Sequence, residues 1–195
     1  MTFRLLDTHI RLTEPTVLGW LVALLCYSPI NTLTGYYFGY QSDMDWQEWL
    51  EPHPVIGFFW GAAILLLTLL YTMSAVSFGI RFSNLTNRGI ITTGPYALTK
   101  HPAYLFKNIS WWMTHIPFAV SSGSITEALR NCLGLLMFNG IYLLRARCEE
   151  AMLTNDPQYV RYSKYMDKHG IFASISELIR KGSGGRSSPR DRNVE

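Results

Sequence analysis

The stretch Gly94–Tyr104, which reads GPYALTKHPAY, decides how the rest of the chain is interpreted. Its His101-Pro102 pair has the form of a helix start, because proline lacks a backbone N–H and its fixed φ suits the first helical position. Apolar residues follow, so we expect this helix to enter a membrane. The free amides and partial positive charge at such an N-terminus favour a polar or anionic ligand. An ordinary loop-to-helix junction has the same spacing and remains the alternative.

A second polar cluster, Glu149-Glu150, ends an apolar segment about one membrane hairpin further along the chain. Two crossings return a chain to the face that it left, so this topology brings the carboxylates back to the side of His101. We therefore predict that the two clusters meet and form an active site. A solvated pair of glutamates at the membrane surface is the simpler alternative.

The composition indicates a membrane protein with one domain. The 195 residues are 48% hydrophobic and 16% charged, whereas soluble domains have about 25% charged residues. The three cysteines show no metal-ligand spacing, and we expect neither a disulfide nor a metal site. The predicted fold is an all-α polytopic membrane helical bundle, with a single domain over residues 1–180 and a disordered Gly/Ser/Arg-rich tail at 181–195.

Four apolar segments are predicted to cross the membrane. They comprise residues 17–40, 54–80, 103–120 and 125–144, and a helix of about 20 residues crosses a hydrocarbon core of roughly 30 Å. Pro29 and Gly35 predict a kink in the first segment. After the fourth, aromatic and aliphatic residues alternate with charges from Ala151 to about Ile179, which predicts one or two amphipathic helices on the cytoplasmic side.

The distribution of charge predicts the orientation in the membrane. The linker Gln41–His53 carries four acidic residues and neither Lys nor Arg, whereas basic residues flank the opposite ends of the apolar segments. By the positive-inside rule the linker faces away from the cytoplasm and both termini are cytoplasmic. Gly94–Tyr104 and Arg145–Glu150 then lie at the cytoplasmic face.

Lys107 interrupts the third apolar segment. A lysine at the centre of a membrane helix costs about 2.5–3.5 kcal/mol, and less near the interface. Its ammonium therefore either extends to the lipid head groups or lines a site, and the sequence leaves both alternatives open.

Four sequence pieces, in this order, carry a family resemblance: Thr93–Tyr96 (TGPY), Lys100–Tyr104 (KHPAY), Arg145-x-x-x-Glu149-Glu150, and Asp156-x-x-Tyr159-x-x-Tyr162. Over roughly Arg81–Phe172 the chain resembles the isoprenylcysteine carboxyl methyltransferase family and its phospholipid-methylating relatives. Two positions depart from the family pattern. Lys100 stands where the family usually has Arg, and the Gly-x-Gly of the phospholipid-methylating members is missing after Gly94.

The resemblance implies an integral membrane methyltransferase that uses S-adenosylmethionine, held at the cytoplasmic ends of the last membrane helices. The residues that it implies around this cofactor are Arg88, Gly89, Ile90, Ile91, Tyr96, His101, Pro102, Ala103, Tyr104 and Glu149. Arg145 falls on the position implicated with the methyl acceptor and is the candidate catalytic residue.

The implied acceptor is lipophilic and enters from the bilayer. An isoprenylcysteine-type carboxylate, a prenyl thiol and a lipid head group all remain open. Membrane lipids are the other expected partners, and we expect no nucleic acid, because no aromatic and basic binding face accompanies the arginines of the tail.

Two other functions remain open. Membrane sterol and enone reductases carry a similar His-Pro-x-Tyr turn and use NADPH, although their usual Asn before the Tyr is Ala103 here. A non-catalytic membrane accessory protein that has kept the fold is the second alternative. Titration with NADPH and with adenosylmethionine distinguishes the three.

Overall fold

The computed structural model describes residues 9–30, 32, 44–79 and 85–183. The described part is mostly helical, in agreement with the all-α prediction. Its elements in chain order are β1 (Leu12–Thr13), α1 (Val17–Leu25), α2 (Trp46–Leu50), α3 (Pro54–Val76), β2 (Thr86–Asn87), a 3-10 turn (Gly94–Ala97), α4 (Pro102–His115), α5 (Ile125–Leu153), α6 (Pro157–His169) and α7 (Ile171–Ser183).

Helix α3 forms over most of the second predicted membrane segment, ending at Val76 instead of residue 80. Its 23 residues extend about 35 Å, and large apolar side chains are exposed on it, with Phe58 and Leu65 both 72% accessible. It is the one helix within the described ranges that is long and apolar enough to cross a membrane. A helix that exposes such a surface needs an apolar environment around it.

Only part of the first predicted membrane segment, residues 17–40, lies within the described residues, and helix α1 covers the beginning of that part. Helix α1 ends at Leu25, and a turn that contains Pro29 follows. A helical proline clashes with the carbonyl group four residues earlier, which here belongs to Leu25. Gly35, the second predicted kink, lies outside the described residues.

The third predicted segment is also shorter than expected. Helix α4 ends at His115, because Ile116 adopts a left-handed conformation with φ of 40°. Pro117 follows, and a proline disfavours the α conformation in the residue before it. Helix α5, by contrast, continues past the predicted end at residue 144 as far as Leu153. Arg145 and both glutamates are therefore helical.

Helix α4 packs against both α3 and α5, and polar side chains join it to each of them. The indole N–H of Trp60 on α3 donates to the Met113 carbonyl oxygen on α4 at 2.9 Å. Between α4 and α5, the Trp112 indole N–H donates to Asn139 Oδ1 at 2.7 Å. Asn139 Nδ2 donates to Asn108 Oδ1 at 2.8 Å. These bonds satisfy polar groups that would otherwise face lipid.

A short strand pair and two C-terminal helices complete the fold. Strands β1 and β2 pair antiparallel, with Leu12 opposite Asn87, and this short pair was not predicted. The two predicted amphipathic helices are present as α6 and α7, which meet at Gly170. Helix α7 ends at Ser183, so the first three residues of the predicted tail are helical, and residues 184–195 lie outside the described part.

We expect Asn139→Leu to destabilise the protein, because it leaves the Trp112 indole N–H and the Asn108 side-chain oxygen without their partner. The expected loss is about 1–2 kcal/mol of unfolding free energy, measured as a lower thermal midpoint in detergent. Thr72→Val is the control, since within the described residues its exposed hydroxyl bonds only to the Thr68 carbonyl of its own helix. Equal midpoints for the two variants would contradict the role of the network.

Candidate active site

A cavity of about 460 Å³ lies between the ends of α3 and α5, the start of α4 and the first turns of α6. Ten of the eleven residues predicted for the site line it: Arg88, Gly89, Ile90, Ile91, Tyr96, His101, Ala103, Tyr104, Arg145 and Glu149. Pro102 does not line it. That residue is fully buried at the first position of α4, where it shapes the helix start.

The two polar clusters that were predicted to meet are in contact. His101 Nε2 lies 3.0 Å from Glu150 Oε1, and His101 Nδ1 lies 3.9 Å from Glu149 Oε2. The start of α4 is thereby joined to the end of α5. This contact closes one side of the cavity.

Glu149 faces the cavity and is held from two directions. Its carboxylate accepts a hydrogen bond from the Tyr104 hydroxyl and one from Arg145 Nε at 3.2 Å. The Arg145 side chain is only 8% exposed, and its guanidinium carbon lies 5.6 Å from the centre of the Tyr104 ring. His101 stacks on that same ring, with 5.7 Å between the centroids and 10° between the planes. The carboxylate and both rings are therefore fixed relative to one another.

Glu150 does not line the cavity, and its partners are His101 and Lys100. Lys100 Nζ lies 3.2 Å from Glu150 Oε1 and 3.3 Å from Asp167 Oδ1 on α6. The hydrogen bond from His101 lowers the pKa of Glu150 to about 2, and although burial opposes this, the charges of His101 and Lys100 add to it. Burial lowers the pKa of Lys100, but its two carboxylate partners outweigh burial and raise it overall. Lys100, which stands where the family usually has Arg, thus links α6 to the end of α5.

The segment Arg88–Ile91 is tied to α6 by Asn87. The Asn87 amide nitrogen donates to Asp156 Oδ2 at 2.8 Å, and its oxygen accepts from the Gly89 backbone N–H at 2.8 Å. Gly89 has φ of 116°, a backbone conformation that residues other than glycine rarely adopt. Asp156 also caps α6 by accepting from the Gln158 N–H. This segment is therefore a fixed wall of the cavity.

Tyr159 and Tyr162 line the cavity but were not among the predicted site residues. The Tyr162 hydroxyl donates to the carbonyl oxygens of Tyr96 at 2.6 Å and Thr99 at 3.2 Å. Burial raises the pKa of Tyr162 to about 12 and also raises that of Tyr159, so both hydroxyls keep their protons at neutral pH. The i, i+3 spacing in Asp156-x-x-Tyr159-x-x-Tyr162 was the available signal, because it puts both rings on one helix face.

Two buried polar atoms of the cavity lining have no hydrogen-bond partner within the described part of the chain. They are the Tyr159 hydroxyl and Arg88 Nε. Tyr159 is only 4% exposed. It belongs to a buried cluster with Tyr162 and Met166, and this cluster packs against Ile90, two residues after Arg88. An unpaired buried donor is costly, so these two atoms indicate where a ligand would bind.

Lys107 also lines the cavity and was not among the predicted site residues. Its ammonium donates to the Tyr142 hydroxyl at 2.8 Å and lies 4.7 Å from the centre of the Trp111 ring. Lys107 therefore lines the cavity, which agrees with the second of the two alternatives that the sequence left open.

Comparison with known proteins identifies the family. The model of the isoprenylcysteine carboxyl methyltransferase (ICMT) family matches residues 55–155, slightly more than half of the chain. Neither the comparison with curated proteins nor the comparison with solved structures found a match. The matched range contains all of α3 except its first residue, the helix start at His101-Pro102, and Arg145–Glu150. Together with the apolar helix, this match indicates a membrane methyltransferase, and the chain belongs to the isoprenylcysteine carboxyl methyltransferase family.

Proposed function

We propose that this protein binds S-adenosylmethionine in the cavity and transfers its methyl group to a lipophilic acceptor at the cytoplasmic face of the membrane. The observation that carries the proposal is the convergence of ten candidate residues, from four separate stretches of the chain, on one cavity of about 460 Å³. Small-molecule sites usually have volumes of roughly 300–1,000 Å³ and combine apolar walls with a few polar groups.

The residues of the cavity fit the cofactor, whose bound form supplies an electrophilic methyl group on a positively charged sulfonium. The Glu149 carboxylate is an acceptor suited to an amine or to ribose hydroxyls. The unpaired donors of Arg88 and Tyr159 suit a carboxylate. Tyr96 and Tyr104 provide aromatic faces for adenine or for the sulfonium.

The chain itself has to orient the reactants and exclude water. A carboxylate or thiolate acceptor arrives deprotonated, so the transfer needs no general base, and alignment supplies much of the rate enhancement. Arg145 is buried and held by Glu149, which gives its guanidinium a fixed position for an anionic acceptor group. We assign Arg145 the role of orienting the acceptor, which enters between the helices from the bilayer.

The proposal includes four membrane crossings with both termini in the cytoplasm. The packing of α2 supports this topology, because the Trp49 ring lies 5.7 Å from Phe118, just after α4. The acidic linker and the turn between α4 and α5 therefore lie together, as they must if both are on the non-cytoplasmic side. The His101 and Glu149 ends of α4 and α5 then share the opposite face. The family match gives no support to the reductase alternative.

We expect Glu149→Gln to weaken adenosylmethionine binding by about 10- to 100-fold, because a charge-assisted hydrogen bond contributes roughly 1.5–3 kcal/mol. Isothermal calorimetry on the full chain in detergent measures the effect. Glu127→Gln is the matched control, since Glu127 lies in the first turn at the opposite end of α5. Equal adenosylmethionine affinities for the wild type and both variants would contradict the site assignment. Tight binding of NADPH without binding of adenosylmethionine would favour the reductase.

Tyr159→Phe and Tyr162→Phe should have opposite effects. Removal of the unpaired Tyr159 hydroxyl should leave the thermal midpoint unchanged or raise it, while adenosylmethionine binding weakens about 3- to 10-fold, because one ligand hydrogen bond is lost. Removal of the Tyr162 hydroxyl should lower stability by about 1 kcal/mol, because two carbonyl groups lose their donor. A destabilised Tyr159→Phe with unchanged affinity would contradict this assignment.

The topology predicts opposite labelling of two engineered cysteines in a background without the three natural ones. Ser176→Cys on α7 should react with a membrane-impermeant maleimide only from the cytoplasmic side, and Ser122→Cys, in the turn between α4 and α5, only from the other side. Both serines are exposed, and permeabilised membranes provide the control in which both react. Labelling of both from the same side would contradict the proposed crossings.

A further inference from the structure

Helix α7 exposes a continuous apolar face. Its large apolar residues recur every three or four positions, which puts them on one side of the helix. The exposed fractions are 60% for Phe172, 45% for Ile175, 68% for Leu178 and 66% for Ile179. The opposite side carries Glu177 and Arg180, both exposed. Helix α7 is therefore amphipathic, and its apolar side is open within the described part of the chain.

The length of α7 suits a helix that lies on a membrane and not one that crosses it. Its 13 residues extend about 20 Å, whereas the hydrocarbon core is roughly 30 Å thick. An isolated helix of this length is marginal in water, and contact along its apolar side is what stabilises it. The surface of the bilayer that surrounds α3 provides such a contact.

The start of α7 is fixed to the loop that leads into α4. The Ile171 backbone N–H donates to the Leu98 carbonyl oxygen at 2.9 Å. Gly170, at the joint with α6, is buried, and a Cβ there would lie 2.6 Å from the Met166 carbonyl oxygen. The Leu98 side chain is itself 42% exposed. Exposed apolar residues therefore continue from α7 to the loop before His101, which the proposed topology places at the cytoplasmic face.

Basic residues accompany this apolar face. From Arg180 onward the sequence contains two acidic residues, Asp191 and Glu195, and five basic ones: Arg180, Lys181, Arg186, Arg190 and Arg192. Helix α6 adds three exposed cations, Arg161, Lys164 and Lys168, while its exposed Asp167 is paired with Lys100. Basic residues next to an amphipathic helix are attracted to anionic lipid head groups. The charge therefore complements an anionic leaflet.

We propose that the apolar face of α7 and the basic residues after it form a docking surface for an anionic phospholipid leaflet. In the docked helix Phe172, Ile175 and Leu178 lie at the boundary between head groups and acyl chains, and the basic residues contact lipid phosphates. Docking holds the α6 wall of the cavity at the level of the head groups. The inference depends on the location of the protein in a membrane and not on methyl transfer.

Two cysteine variants, in a background without the three natural cysteines, test the docking. Leu178→Cys lies on the apolar face, and Ser176→Cys, also exposed, lies about 160° away around the helix. Each carries a nitrobenzoxadiazole label on the full chain, in nanodiscs of phosphatidylcholine mixed with phosphatidylserine. Lipids with a spin label on the acyl chain should quench the label at position 178 at least about threefold more than at position 176. Iodide in the water should show the reverse preference. Ile175→Cys provides a second site on the apolar face.

The charge of the lipid should determine how strongly α7 docks. In nanodiscs of phosphatidylcholine alone, acyl-chain quenching at position 178 should fall at least about twofold, because the basic residues lose their partners. The combined change Arg180→Gln and Lys181→Gln should lower it in the mixed nanodiscs in the same way. Arg130→Gln is the matched control, since it removes an exposed cation near the opposite end of α5, and it should leave the quenching unchanged.

Three results would overturn the inference. Equal quenching at positions 176 and 178 would show that α7 does not lie on the bilayer. Protection of position 178 from both quenchers would show that protein, such as a second copy of the chain, covers the face. Quenching at position 178 that is the same with and without phosphatidylserine would show that the surface does not select anionic lipid. Adenosylmethionine binding, measured on the same nanodiscs, separates each of these failures from failure of the proposed function.

Discussion

The contact between the glutamate pair of α5 and the start of α4 is the constraint on which the site depends. Consecutive helical residues point in different directions, so Glu149 and Glu150 have different hydrogen-bond partners, although His101 lies near both carboxylates. Glu149 faces the cavity and binds Tyr104 and Arg145, whereas Glu150 does not line the cavity and binds His101 and Lys100. A partly buried carboxylate is tolerated only when it is paired. The Glu149-Glu150 pair therefore supplies a carboxylate to the cavity and also joins α5 to the start of α4.

Tyrosines surround the cavity and serve two purposes. Their rings supply apolar wall, and their hydroxyl groups supply polar contacts. Tyr162 uses its hydroxyl to hold the backbone between the 3-10 turn and α4, whereas the Tyr159 hydroxyl has no partner within the described residues. Tyr104 and Tyr142 lie between the guanidinium of Arg145 and the ammonium of Lys107. A tyrosine hydroxyl thus stabilises the backbone at Tyr162, whereas at Tyr159 it is available to a ligand.

The sequence predicts the parts of this arrangement that follow from pattern. His101-Pro102 starts a helix, Glu149-Glu150 ends an apolar segment, and two crossings bring them to one side, where the structure has them in contact. The direction of the Lys107 side chain was not predictable, since a helix that enters a membrane permits either a lipid-facing or an inward lysine. It depends on Trp111 and Tyr142, whose positions follow from the packing of α4 on α5.

Helix ends and long-range side-chain contacts could not be predicted from the periodicity of apolar residues. The end of α1 at Leu25 and of α4 at His115 both follow from a nearby proline. The Asn87 side chain joins the β2 strand to the cap of α6, a contact between residues far apart in sequence. The Arg88–Ile91 segment was predicted for the site only through the family resemblance. That the Tyr159 hydroxyl and Arg88 Nε are buried without a partner among the described residues follows only from the structure.

The central claim is that one cavity holds a methyl donor and presents it to a lipophilic acceptor. Incubation of the purified protein with methyl-labelled adenosylmethionine and a total lipid extract tests it most directly. The account predicts that label enters a lipophilic product with the wild type and not with Glu149→Gln. Absence of labelled product with a wild-type protein that is folded and supplied with both substrates, or equal labelling by the variant, would contradict it.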